Sequence, residues 1–432
     1  MTAPIVQVPG NLSAFGLAKE ATPGTPVAAA AFEPFSTCNI IPETGLFFPP
    51  VMMGVRETDV FALYGQEKLA GPIDGPLFPV NGIQLFIGSI GTDNAQSGTA
   101  AVSAKDGTVT AAAAGATSLT YTTVTGTAPV ANEYYQIGIA KGTFGTGAIP
   151  FGSGATATAG SQVVKVTSVA GTSSPYTLTV PALQFKVDTT GNGAAGLVAQ
   201  SVIAPFYHNV APANTLSSFT LEKNMGGKQS EQYAGCQIDS FNLKCPTSNA
   251  EVSFSAAVMG LAVAILATPT TASYDAGVPF VFAEGSLSFQ SNVMTTATNV
   301  EIDIQNTVKD TYTVGTSHLP TYLTATTRKF SAKVTAVFTS LNDAAWGYFK
   351  QAFPSTATSG APVVGALSLT LTHPSGGGII GISFPQVNID KIGDDVKVGD
   401  VITQSLDLTP SYDIATGYAI QAYVANAANT AY

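Results

Sequence analysis

The segment Val300-Glu301-Ile302-Asp303-Ile304-Gln305 alternates without a break between apolar and polar side chains. Successive side chains of an extended strand point to opposite faces, so Val300, Ile302 and Ile304 share one face and Glu301, Asp303 and Gln305 the other. A helix would spread both sets around its circumference. The same period recurs at Phe219 and Leu221, Val252 and Phe254, Leu287 and Phe289, Phe330 to Phe338, Leu367 to Leu371, Leu406 and Leu408, and Tyr418 to Val424. With 43 Gly and 26 Pro available to punctuate such runs, the pattern predicts a mainly β fold, in sandwich or barrel form. Helical spacing shows clearly in one place. Ser340-Leu341-Asn342-Asp343 supplies cap-type residues, and Leu341, Ala345, Tyr348, Phe349 and Phe353 follow until Pro354. A second, short helix is expected at Asn81 to Ser89.

At about 150 residues per domain, 432 residues predict two or three domains. Residues 1–31 read as an arm, broken by Thr22-Pro23-Gly24-Thr25-Pro26. A strand, a long loop and a returning strand follow, the loop carrying Phe47-Phe48-Pro49-Pro50-Val51-Met52-Met53. Such an apolar loop is costly against water unless something covers it. Between 95 and 204 the texture changes to Ala, Gly, Ser and Thr, with short alternating runs such as Tyr135-Gln136-Ile137-Gly138-Ile139 and Tyr176-Thr177-Leu178-Thr179-Val180. This stretch reads as a small all-β domain inserted into a discontinuous main domain made of 1–94 and 205–432.

Only 17 Lys and Arg and 27 Asp and Glu are present, for a net charge of −10, which weighs against binding nucleic acid through phosphate neutralisation. Three cysteines, Cys38, Cys236 and Cys245, lack CxxC spacing and suggest neither a disulfide framework nor a zinc site. Met1 to Gly10 has no basic segment followed by an apolar run, and the longest apolar stretch, Ala256 to Ala267, is short of the roughly 20 residues that span a bilayer. A cytosolic origin without membrane partners is the expectation. His208, His318 and His373 have no metal-pair spacing. Met225-Gly226-Gly227-Lys228-Gln229 fails as a phosphate loop, since Glu222 replaces its first Gly and Gln229 its Ser or Thr, and reads as a hairpin turn. The segment from Asp188 has Ala199 where a calcium loop needs Glu. Asp394, Asp395 and Asp400 read as solvated turn acids. No catalytic residue, metal or cofactor is therefore expected, and the chain reads as a non-enzyme.

Several segments carry a likeness in their order. They are Phe15-Gly16-Leu17-Ala18-Lys19-Glu20-Ala21-Thr22-Pro23-Gly24-Thr25; Gly75-Pro76-Leu77-Phe78-Pro79-Val80-Asn81-Gly82-Ile83; and Pro205-Phe206-Tyr207-His208. Then follow Ser218-Phe219-Thr220-Leu221-Glu222-Lys223-Asn224, Tyr233-Ala234-Gly235-Cys236, Glu301-Ile302-Asp303-Ile304-Gln305-Asn306-Thr307-Val308 and the helix around Trp346. Taken together, the chain outside 95–204 resembles the major tail tube proteins of long, non-contractile bacteriophage tails, in the branch with an inserted outer domain.

The resemblance implies a tail-tube β-sandwich or partial barrel with one flanking helix. It implies six copies closing into a ring, and rings stacking into a hollow tube around a tape measure protein. It also implies attachment through a tail terminator, distal tail proteins at the far end, and DNA passing through the lumen without specific binding. The place of action would be the virion tail, assembled in the host cytoplasm. On that view Glu301, Asp303 and Gln305 are candidates for an acidic lumen lining, by alternation alone. Phe47, Phe48, Val51, Met52, Met53 and Tyr64 are candidates for a ring-stacking loop. Competing readings are a tail decoration or baseplate subunit, a carbohydrate-binding surface protein, and a hydrolase built on an acid pair.

Overall fold

The structure, a computed structural model, describes residues 9–50, 61–96, 106–110, 112, 116–125, 128–131, 134–138, 161–180, 197–201, 206–247, 251–274, 278–289, 292–315, 318–338, 364–373, 378–396, 401–414 and 418–426. The expected helix from Ser340 to Phe353, the segment from Asp188 to Gly196, Asp400, and the loop residues Val51, Met52 and Met53 lie outside the described residues. The fold is mainly β. Among the described residues, nineteen strands form one hydrogen-bonded network, seven more form a second sheet, and a hairpin of Val308–Thr311 and Tyr322–Ala325 stands beside them. Every strand pairing with an assigned register is antiparallel, as expected of runs that separate a wet face from a dry one.

Two 18-residue strands hold the large network together. Gln229–Pro246 pairs at its start with Phe219–Met225 and Ala262–Leu266, and later with Ser253–Gly260 and Ala297–Gln305. Gly378–Asp395 pairs first with Val364–Thr372 and Gln421–Asn426, and later with Thr403–Pro410. Register shifts at Ile238/Ser240 and Ile389/Lys391 put an irregularity into each strand's pairing, with Ser253–Gly260 and with Thr403–Pro410. One network thereby wraps a single apolar interior that includes Phe241, Leu243, Ile302, Ile304, Val334, Leu369, Ile382 and Val424.

The short helix forms at Ile83–Ile90, and seven of its eight residues are buried. A helix apolar all round belongs inside a core. Its Phe86 ring lies 5.6 Å from Phe241, and Asn306 Nδ2 donates to Ser89 O at 2.9 Å. The Met225 to Gln229 segment is the expected hairpin turn, with Gly226 and Gly227 at φ of 60° and 70°. No helix of the described residues is long and apolar enough to cross a membrane.

The seven strands lying between Asp106 and Ser201 pair among themselves and share a core of Val109, Leu119, Tyr121, Tyr135, Val166, Leu178 and Val180. Gly91–Gln96 leads out toward this segment and Phe206–Pro212 leads back, as antiparallel neighbours. The pair is clasped by His208 Nδ1 and Asp93 Oδ2, 2.7 Å apart with both side chains buried.

Glu284 supplies a pH signature. Burial pushes its carboxyl up to about 7, against the opposing pull of the Val281 N–H that it accepts at 3.1 Å. A folded-state pKa raised above the unfolded value means that the folded chain favours the proton. The ionised form is penalised, so stability from this group is full below pH 4.5 and is lost as pH rises through 7. Glu284→Gln is expected to stabilise the protein by about 1–2 kcal/mol at pH 8, after discounting for solvent screening, and to change little at pH 4.5. Urea denaturation of both proteins at the two pH values checks this.

Candidate functional site

Ile41–Phe47 and the first half of Leu63–Pro76 form a hairpin that leaves the body of the fold. Only Leu69 to Pro76 pair with the next strand, Ser253–Gly260, so Leu63 to Lys68 run on past its last rung, roughly 20 Å of extended chain. All seven residues of Ile41–Phe47 are exposed. Toward the tip stand Leu46, Phe47, Phe48, Phe61, Leu63 and Tyr64, between 46% and 65% exposed. Monomeric proteins seldom present so many large apolar side chains on one projecting element, and such a patch marks an interaction surface.

The hairpin is firmly seated. Tyr233 Oη donates to Ile40 O at 3.0 Å, Lys223 Nζ reaches the same oxygen at 3.4 Å, and Ile40 itself is buried. Asn39 N donates to Pro72 O at 2.9 Å, so the chain passes directly over Gly71. A Cβ at Gly71 would lie 2.0 Å from Asn39 O and 2.7 Å from Ile40 Cα, both backbone atoms with nowhere to move. Gly71→Ala is therefore expected to cost about 1–3 kcal/mol by forcing the hairpin off its base, measurable by chemical denaturation. Along one flank Glu67 N donates to His318 O and His318 Nδ1 meets Gly65 O, each at 2.8 Å, while Tyr312 Oη donates to Glu67 O at 2.9 Å. The single Tyr312 proton is shared with the Asp310 carboxylate, also 2.9 Å away, and burial, then that carboxylate, pushes the phenol up to about 12, which keeps it protonated.

Of the expected stacking residues, the structure gathers Phe47, Phe48 and Tyr64 on this hairpin; Val51, Met52 and Met53 are outside the described residues. Leu46, Phe61 and Leu63 belong to the same patch and are not among the residues named from sequence; Phe61 and Leu63 fall inside the expected loop, Leu46 just before it, and the pairing of Phe47 with Leu63 and Leu46 with Tyr64 sets the two sides alongside each other.

Ala297–Gln305 has the alternation read from sequence: Val300, Ile302 and Ile304 are buried, Glu301 and Asp303 half-buried and Gln305 exposed. Register changes its electrostatic character. Glu301 stands between Lys244 and Lys333, and Gln305 between Ser240 and Lys329. Lys333 is next to Asp407, which is next to Lys391. Cross-strand neighbours share a face, so Lys244, Glu301, Lys333, Asp407 and Lys391 make a row of alternating sign across five strands. The face is charge-compensated, not acidic. Asp303 accepts from Gln305 Nε2 at 2.9 Å, and both open into a cleft of about 1000 Å³ with Arg328, Lys329, Tyr412 and Tyr418.

The histidines are placed apart: His208 against Asp93, His318 on the hairpin flank, His373 buried edge-on to Phe280. Among the described residues no three His, Cys, Asp or Glu side chains gather closely enough to hold a metal ion. Cys236 and Cys245 are buried free thiols, and desolvation pushes Cys245 up to about 12. No protein-family model matches the chain, and no curated protein matches it.

Proposed function

We propose that this chain is a structural wall unit, the major tail tube subunit of a long, non-contractile bacteriophage tail, closing as six copies into rings that stack into a hollow tube. The observation that carries the reading is the seated hairpin with its exposed Leu46, Phe47, Phe48, Phe61, Leu63 and Tyr64. A projecting apolar element that repeats with every subunit lets modest contacts add into a rigid assembly, and burial in a neighbouring ring removes its cost in water.

The polar face around Glu301, Asp303 and Gln305 is the lumen wall in this reading. Its row of alternating Lys and carboxylate groups supports the passage of DNA without lodging, since each lysine has an acid in register that competes with phosphate for it. The segment 95–204 is placed outside the wall as a decoration. The tape measure protein occupies the lumen during assembly, the terminator and distal proteins close the two ends, and the virion tail, built in host cytoplasm, is the site of action.

Sedimentation velocity over a concentration series tests the reading. Open-ended growth of the weight-average mass supports a stacking wall unit. A fixed small oligomer at all concentrations favours a decoration or baseplate subunit and contradicts it.

A further inference from the structure

The cleft holding Asp303 and Gln305 is walled by Pro212 and Asn214 on one side and by Pro410, Tyr412 and Tyr418 on the other, at the end of the sheet where Ala297–Gln305 finishes. Arg328 Nε donates to Asn306 Oδ1 at 2.9 Å and Nη2 to Ala213 O at 2.8 Å, both neutral acceptors. Burial lowers the proton affinity of this guanidinium. Lys329 lies beside it, and Tyr412, 62% exposed, faces them with Tyr418. The cleft thus offers two cations, one acid already engaged by Gln305, and the rings of Phe330, Tyr412 and Tyr418. Its complement is an acidic segment with apolar neighbours.

Such a segment exists at the opposite end of the same strands. Gly378–Asp395 ends in Asp394 and Asp395, which pair with Gln404 and Thr403. Both acids are exposed, beside Val396 at 70%, Val401 at 58% and Ile402 at 39% exposure. Thr403 is level with Val337, and Ala336 with Ala297, the beginning of the strand whose end enters the cleft. Roughly 25 Å of strand separates these acids from the cleft, so they cannot meet within one subunit. A second copy displaced along the strand direction brings them together. The direction agrees with the hairpin: Pro72 is level with Ala257, Ser240 and Gln305, and the chain from Leu69 back to Leu63 projects beyond that level, on the cleft side.

We propose that the cleft is a socket for the acidic end of Gly378–Asp395 in a second copy stacked end to end, with Asp394 and Asp395 meeting Arg328 and Lys329. The contact is heterologous, one surface on each end, and therefore propagates without closing. It deepens the tube reading and rests on it for its setting, adding a polar lock that fixes the rotation of one ring on the next.

Charge exchange tests it. Lys329→Glu alone, and Asp394→Lys with Asp395→Lys, should each raise the concentration needed for end-to-end growth at least about tenfold, since like charges would then face each other. All three substitutions in one chain should return it to within about threefold of wild type. Lys329 is exposed and the melting temperature of each variant establishes that it is folded. A second measurement is independent of tube growth: Lys329→Cys with Asp395→Cys should give an intersubunit disulfide under mild oxidant, and neither single variant should. Growth unchanged by the charge variants, failure of the triple variant to recover, or tubes that yield no disulfide would overturn the socket and leave the cleft to another occupant, a different polypeptide or a saccharide. Wild-type protein that never grows contradicts the tube reading on its own; the cysteine pair then decides the socket, a disulfide-linked dimer supporting it and none overturning it.

Discussion

Phe47→Asp combined with Tyr64→Asp is expected to abolish end-to-end growth while the subunit stays folded. Both side chains lie on the projecting hairpin, 50% and 65% exposed, and neither belongs to the apolar interior. Substitutions at such surface positions change folding stability by about 0.5 kcal/mol or less. In a stacked assembly the same positions would be covered, and each buried carboxylate without a partner costs about 3–5 kcal/mol. That is repeated at every copy around a ring, so assembly should fall by more than about a hundredfold. Pelleting assays show the loss, and a melting curve matching wild type within a few degrees shows that folding survives. Wild-type growth of the double variant would remove the hairpin from the stacking contact.

Glu20→Ala is expected to be the most destabilising single change in the main domain, by about 3–5 kcal/mol. Glu20 is buried, and its carboxylate is met from four sides. Thr220 Oγ1 and Gly235 N donate to Oε1 at 2.7 and 2.8 Å, and Gly24 N and Ser218 Oγ to Oε2 at 2.8 and 2.9 Å. These bonds tie the turn after Ala14–Lys19 to Phe219–Met225 and to Gln229–Pro246, elements about 200 residues apart in the chain. Alanine leaves all four donors facing an apolar gap. Glutamine keeps the volume but turns its NH2 toward two of the donors, so it should recover only part of the loss. Against a typical total stability of about 5–15 kcal/mol, a change of this size is plain in a urea titration. A Glu20→Ala variant with an unshifted midpoint would show that the arm is dispensable to the fold.

The local elements were legible in the sequence because side-chain period is a local property. Strict alternation located Ala297–Gln305, the apolar run after Asn81 located Ile83–Ile90, and the Phe47 region was read as an apolar loop that needs cover. What depends on register was not legible. The face carrying Glu301 and Asp303 reads as acidic on its own strand, and the lysines that balance it come from strands near 244, 333 and 391. The long strand Gly378–Asp395 was missed because Gly381, Pro385 and the shift at Ile389/Lys391 interrupt its alternation, which left Asp394 and Asp395 to be read as turn acids. The Asp93–His208 clasp joins positions 115 residues apart, and the cleft is assembled from Pro212 and Asn214, Asp303 and Gln305, Arg328 and Lys329, and Tyr412 and Tyr418. Neither leaves a mark on any one stretch of chain.

The wall-unit account is tested most directly by negative-stain electron microscopy of the purified chain over a concentration series. It predicts six-fold rings at low concentration and hollow tubes with a regular axial repeat at high concentration. A closed oligomer of any other symmetry that never extends would contradict it.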